Sequence, residues 1–354
     1  MLPSLSLGLV ALIAAAQLET GARGARPGRV VLVAAAPAID ARASTDPTSR
    51  AVVLALEAPP AEGVTNTAGA PVHLVTRAVE SDAEDRALAE VLHGASAIEL
   101  REGTWLGWHH AAHSNRHELE WVRALRRAHA RGAEVRASGG AAAWISSWSP
   151  VPRAILDKAA QVPHDTSLDL PVEGLGLFDG PLVGVLTPGA PTADRVVERA
   201  LAFGYGDVLL LAGEAEFAWD PATRTARVTI PSPAADAGSA WIAWLDLGAG
   251  KRSRAAVRDA RATILRDGDV YAARTRTLAG GARTLEDARD EPSDDAAVAR
   301  LRRELGGAPG ETARAGGAVP SRIGNIRISR DERTFRSARG GLTGILLDLE
   351  IQNP

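Results

Sequence analysis

The sequence predicts an α/β fold in which helices cover both faces of a parallel β-sheet. Residues 29–36 (RVVLVAAA) and 51–56 (AVVLAL) are continuous apolar runs without alternation, so we expect strands that are buried on both faces. Stretches with helical spacing follow at residues 81–93 and 115–131. Strands that alternate with helices of this length are typical of a parallel sheet, whose functional site lies at the carboxyl ends of the strands.

Composition narrows the class of protein. The chain has 354 residues, of which 45% are apolar, which predicts a globular protein with a sizeable core in one large or two small domains. The formal net charge of -3 excludes the strongly basic surface of a typical nucleic-acid-binding protein. The absence of cysteine excludes disulfides, thiolate metal sites and cysteine nucleophiles.

The first 28 residues form a possible signal peptide and linker. Residues 2–16 are apolar, too few to span a bilayer, and end in three alanines that resemble the exit of a secretory signal. No basic residue precedes the run, as a signal peptide would require. Exported, periplasmic or extracellular, and cytoplasmic locations therefore all stay open.

The first half of the chain contains the elements nearest to the predicted site. A weaker third strand is expected at residues 72–75, and Ser81 is positioned to cap the helix that follows. Residues 97–100 predict a short strand, and the helix at 115–131 ends at Gly132.

The second half predicts further strands and one helix before a linker. We expect a strand within residues 174–186, a helix at 192–204, strands at 207–212, 241–247 and 270–277, and a hairpin at 217–231. We expect an α/β domain at 29–279, a flexible linker at 280–321 with a helix at 295–305, and a short strand-like, irregular C-terminal extension at 322–354.

A Ser-containing turn at residues 133–147 (AEVRASGGAAAWISS) is the strongest candidate for a catalytic element. A strand ends near Ala137, and a helix begins soon after Gly140. Hydrolases expose a nucleophilic hydroxyl on such a strand-to-helix turn, here Ser138, and nearby backbone N–H groups hold the oxyanion. The alternative is a Gly-rich helix start that Ser138 caps.

Five stretches in order resemble the cyanophycinase and dipeptidase E family of serine peptidases. They are IELREGTW at 98–105, RASGGA at 136–141, GLGLFDG at 174–180, the strand and following turn at 207–218, and LRDGDVYAARTRTL at 265–278. The resemblance spans about residues 29–278. It implies a class I glutamine-amidotransferase-like, flavodoxin-like fold that closes in a β-hairpin, and a serine hydrolase.

The resemblance also implies roles for particular residues. Ser138 matches the nucleophile, Gly103 and Gly139 the oxyanion side, and Glu214 a family glutamate. The family's base histidine falls on residues 184–187 (GVLT), which contain no histidine. A serine without a base is a poor nucleophile. His164 is a candidate for a displaced base, with Asp157 as the acid.

Tryptophans are concentrated around the predicted turn, where they would line a ligand pocket. The candidate pocket residues are Trp105, Trp108, Trp144, Trp148, Arg136 and Glu214. Arg136 would either bind a substrate carboxylate or fill the pocket.

Histidines give a further candidate site. His109, His113 and His117 are spaced by four and would share one face of a helix, where imidazoles can hold a divalent metal. The alternative is a solvated, polar helix start.

These observations lead to three hypotheses. The preferred one is a degenerate member of the peptidase family that binds a peptide or small molecule near Ser138, with impaired or no peptidase activity. The others are an active serine peptidase or isopeptidase and a metal-binding protein. We expect no cofactor, no nucleic acid and no transmembrane span, and the oligomeric state stays open.

Overall fold

The computed structural model describes most of the chain, with gaps. The described residues are 26–34, 51–56, 72–74, 81–101, 103–114, 117–146, 148–149, 172–186, 193–202, 204–230, 240–252, 256–279, 284–285, 296–306, 323–329, 335–336 and 342–351. Asp157 and His164 lie outside these residues, as do residues 1–25.

Helices and strands alternate through the first two-thirds of the described chain. The helices are α1 (Asp82–His93), α2 (Trp105–Ala111), α3 (Glu120–Ala130), α4 (Gly140–Trp144), α5 (Ala193–Ala202) and α6 (Ala296–Gly306). The strands up to α5 are β1 (Val30–Val33), β2 (Ala51–Ala55), β3 (Val72–Leu74), β4 (Ala97–Arg101), β5 (His113–Ser114), β6 (His117–Glu118), β7 (Glu134–Ser138), β8 (Trp148–Ser149), β9 (Val172–Glu173) and β10 (Leu182–Leu186). The later strands are β11 (Asp207–Ala212), β12 (Glu216–Asp220), β13 (Thr225–Thr229), β14 (Trp241–Asp246), β15 (Lys251–Arg252), β16 (Ala256–Leu265), β17 (Val270–Ala272), β18 (Thr277–Ala279), β19 (Thr284–Leu285), β20 (Ile323–Ser329), β21 (Phe335–Arg336) and β22 (Leu342–Ile351).

The first sheet combines a parallel half with antiparallel hairpins. Its order is β18-β17-β13-β12-β1-β7-β4-β2-β3. Strands β1, β7, β4, β2 and β3 are parallel to their neighbours, whereas β12 joins β1 antiparallel. The predicted α/β class is confirmed. Strands β1 and β2 have the buried, β-branched sequences expected of them, whereas β4 and β7 contain charged residues at half-buried positions.

The second sheet includes the C-terminal strands. Its main path is β10-β11-β14-β16-β22-β21-β19, with β20 paired to β22. The strand-like runs expected in residues 322–354 are β20 and β22, and β22 is a ten-residue strand within this sheet. The hairpin β17–β18, which matches the predicted C-terminal β-hairpin, lies at the edge of the first sheet.

Capping interactions explain where two helices begin. Ser81 accepts a hydrogen bond from the amide of Glu84, which confirms it as the N-cap of α1. The carboxylate of Asp85 accepts the amides of Glu120 and Trp121, both at 2.8 Å, and so caps α3 from a different helix. The helix predicted from residue 115 starts at Glu120, because residues 113–114 and 117–118 form the paired strands β5 and β6.

The two largest hydrophobic clusters of the described residues hold the layers together. The larger cluster lies against one face of the first sheet and includes α1, α3, α2 and α4, together with one face of the second sheet. The smaller cluster packs α5 and α6 against the other face of the second sheet. No helix in the described part of the chain has the length and apolar character needed to cross a bilayer.

Candidate functional site

The turn between β7 and α4 is a sharp one, and its apex is Gly139. Gly139 has φ 59° and ψ -134°, a backbone region that residues with a Cβ adopt only at a cost. Its amide donates to the carbonyl oxygens of Val33 and Ala34, both at 3.1 Å. The strand therefore ends immediately before Gly139, and the helix begins immediately after it.

Ser138 lies one residue before the apex and is buried, which differs from the expectation that the turn exposes its hydroxyl. It is the last residue of β7 and pairs in register with Val33 of the neighbouring parallel strand. Only 4% of its surface is exposed. A nucleophile elbow works by exposing the hydroxyl at the strained position of the turn, and in this chain that position holds a glycine.

The loop after β4 lies directly against this turn, as the order of motifs predicts. Gly103 has φ +71°, and its carbonyl accepts the amide of Gly140 at 3.2 Å. A Cβ on Gly140 would lie 2.5 Å from both the Gly103 carbonyl oxygen and the Trp105 amide nitrogen. Thr104 then caps α2 by accepting the Gly107 amide at 3.0 Å.

The tryptophans near the turn belong to the core. Trp108 and Trp144 are 0% and 1% exposed, and their rings stack at 5.6 Å with an interplanar angle of 14°. Trp121 completes the cluster at 6.2 Å from Trp144. These rings therefore support the turn from within and do not form the wall of an open pocket. Trp148 lies in β8, and its side chain is outside the described part of the structure.

Arg136 already has a carboxylate partner within the chain. Its guanidinium donates to Glu216 on β12 at 2.9 Å, and the two side chains are 30% and 25% exposed. Glu216, which the sequence analysis missed, pairs in register with Val33, as Ser138 does from the other side. Polar and apolar residues alternate in EFAWD (residues 216–220), which places Glu216 on the more polar face of the strand. This alternation was the sequence signal that could have identified Glu216. Glu214, the predicted residue, is exposed in the turn between β11 and β12.

The predicted histidine series does not lie on one helix, because α2 ends at Ala111. His109 is on α2, His113 on β5 and His117 on β6. His113 Nδ1 donates to the His109 carbonyl at 2.8 Å, and the two rings are 4.6 Å apart. Among the described residues, no group of three His, Cys, Asp or Glu side chains is arranged to hold a metal.

His109 is a neutral histidine packed on a tryptophan. Its ring stacks on Trp105 at 5.0 Å and 9°. Burial, with smaller contributions from the charges of His113 and His110, lowers the pKa of His109 to about 4. The Nδ1 of His109 and the Nε1 of Trp105 are buried and have no hydrogen-bond partner among the described residues.

Comparisons with known proteins give a distant structural likeness. The chain is similar to the crystal structure of a peptidase from an acI-B1 Actinobacterium, with 12% sequence identity and a TM-score of 0.46. The aligned region covers 70% of this chain and 98% of that chain. No protein-family model matches the chain, and no curated protein matches it.

Proposed function

We propose that this chain is a non-catalytic binding protein on a peptidase-like α/β scaffold. The observation that carries this proposal is the glycine at the apex of the turn after β7, with Ser138 buried in the strand before it. Acyl transfer by serine needs an exposed Oγ, a base within hydrogen-bond reach and oxyanion donors. This turn has no exposed Oγ at its strained position, because the residue there is a glycine.

The absence of histidine from residues 184–187 supports the same proposal. The stretch where the family places its histidine begins in β10, and residues 184–187 supply no imidazole. Removing one member of a catalytic triad lowers the rate by orders of magnitude, even where the nucleophile is in position.

Two buried polar atoms next to the turn, which have no hydrogen-bond partner among the described residues, support ligand binding there. Buried polar groups are satisfied in the great majority of cases, and each exception calls for an explanation such as strain, a functional role, or a bound water or ion. Trp105 Nε1 and His109 Nδ1 are such atoms, and Trp105 directly follows the loop that contacts Gly140. A ligand with a hydrogen-bonding group could satisfy them, and the neutral imidazole leaves the site uncharged there.

The experiment is covalent labelling with a fluorophosphonate, which reacts with activated serines. We expect no specific labelling of the native protein and the same background in Ser138→Ala and Ser146→Ala. Ser146 is the matched control, a 1% exposed serine whose hydroxyl donates to the Ala143 carbonyl. Labelling that disappears in Ser138→Ala and persists in Ser146→Ala would contradict the proposal and support an active peptidase.

A further inference from the structure

A cavity of about 590 Å³ lies away from the turn after β7. Trp219 lines it and pairs with Val30 at the amino end of β1, whereas Ser138 pairs with Val33 at the carboxyl end. Leu182 and Asp207, the first residues of β10 and β11, also line it. The volume falls within the range of small-molecule sites.

Two hairpin turns with the same sequence project arginines into this cavity. Thr-Arg-Thr occurs at 223–225 and again at 275–277, and in each turn the two threonine hydroxyls are bonded to each other, at 2.8 Å and 2.7 Å. Arg224 and Arg276 have φ 53° and 56°. A non-glycine residue in this left-handed region costs about 1–2 kcal/mol, and such strain is concentrated at functional sites.

Each of these arginines faces an aspartate that a tryptophan holds in place. Trp219 Nε1 donates to Asp179 at 3.0 Å, and Arg224 lies 3.4 Å from the other oxygen of that carboxylate. The second set repeats the pattern. Trp244 Nε1 donates to Asp207 at 3.1 Å, and Arg276 contacts the other oxygen of Asp207 at 3.3 Å.

The two sets differ in how fully the arginine is neutralised. Arg276 also pairs closely with Asp246, so two carboxylates share its charge. Arg224 has the long contact with Asp179 and is 53% exposed. Arg274 is exposed, and no ion pair within the described structure includes it. The amide of Ala273 donates to the carbonyl of Arg224 at 3.1 Å, so the backbones of the two turns meet, and Arg274 and Arg224 both line the cavity.

We propose that this cavity binds a small organic carboxylate, with its anionic group between the guanidiniums of Arg224 and Arg274. Guanidinium groups bind carboxylates through paired, charge-assisted hydrogen bonds. Pro181, Leu182, Trp219 and Trp244 also line the cavity, but they are buried, so the charged side chains of its wall carry the recognition. The site goes beyond the proposed function, because binding there involves neither Ser138 nor the turn after β7.

The test is binding to the full chain by isothermal titration calorimetry. The probes are N-acetylglycine, N-acetylleucine and N-acetyltryptophan, each compared with its C-terminal carboxamide, and inorganic phosphate as a separate oxyanion. We expect at least one acid to bind and its amide not to bind. Arg274→Gln should weaken binding about tenfold or more, the effect of losing a charge-assisted pair. Arg227→Gln, which removes an exposed arginine on the β12–β13 hairpin outside the cavity, should leave the affinity unchanged.

A second variant separates binding from stability. Arg224→Gly removes the side chain and relieves the left-handed backbone, so it should bind more weakly while its melting temperature stays the same or rises. The proposal is overturned if none of the three acids binds at millimolar concentration, if acid and amide bind equally, if phosphate alone binds, or if Arg274→Gln binds as the native protein does. Ser138→Ala should bind the acids as the native protein does. A failure of carboxylate binding would therefore leave the conclusion from fluorophosphonate labelling unchanged, and the reverse also holds.

Discussion

The amide of Gly140 donates a hydrogen bond to the carbonyl of Gly103, and this contact joins the turn after β7 to the loop after β4. The two strands are parallel neighbours in the first sheet, so their carboxyl ends lie side by side. The contact requires a residue without a Cβ at position 140. The geometry of the candidate site therefore depends on this glycine as well as on Gly139.

Gly140→Ala should destabilise the protein by about 2–3 kcal/mol, the usual cost of overpacking against groups that cannot move aside. The added Cβ would meet backbone atoms at 2.5 Å. Gly204→Ala is the control. Gly204 has φ +77° and open space around its Cβ position, so its substitution should cost about 1 kcal/mol from backbone strain alone. Urea unfolding of both variants measures the difference, and equal costs would contradict the close approach.

Trp105→Phe and Trp121→Phe should differ in stability. Both rings are buried, and both substitutions remove the same atoms. Trp121 Nε1 donates to the Ala111 carbonyl at 3.3 Å, whereas Trp105 Nε1 has no partner in the described structure. Removing a donor that makes a hydrogen bond costs about 1 kcal/mol more stability than removing a donor that makes none. Chemical unfolding should show Trp121→Phe as the less stable variant, and the reverse order would refute the assignment of these two nitrogens.

Because of His109, the free energy of unfolding should decrease as the pH falls from about 6.5 to about 4. Its folded pKa is about 4, below the ordinary value of 6.5, so in this window the unfolded chain takes up a proton that the folded chain does not. Above the window the imidazole is neutral in both states. His109→Phe keeps a ring on Trp105 and removes the titration. The loss of melting temperature between pH 7 and pH 4.5 should be smaller in this variant, and an equal loss would show that His109 titrates normally.

The sequence predicts the elements that depend on local pattern. The runs that became β1, β2 and β11 are continuous and apolar, and the Asp220 turn joins β12 to β13 as expected. Ser81 is a local cap, and it was predicted correctly. Elements of this kind need no information from distant parts of the chain.

Features that depend on distant partners were missed. The start of α3 is fixed by Asp85, 35 residues earlier. The sequence of β16 (AVRDARATIL) carries too many charges to predict a buried strand, and it forms one because β14 and β22 flank it. The position of the apex is the most consequential example. In the run Ser138-Gly139-Gly140, the pairing of Ser138 with Val33 decides which residue ends the strand, and a shift of one residue exchanges an exposed hydroxyl for a buried one.

Thiol accessibility tests the central claim most directly, because the native protein has no cysteine and each variant has a single thiol. Ser138→Cys and Thr223→Cys are compared by their rates of reaction with a disulfide reagent under native conditions, with complete reaction in denaturant as the reference. Position 138 is 4% exposed and lies within a strand, whereas Thr223 is exposed in a hairpin turn. The account predicts that the Ser138→Cys thiol reacts at least ~100-fold more slowly, since it needs local opening. Comparable rates for the two variants would place position 138 on the exposed apex and contradict the account.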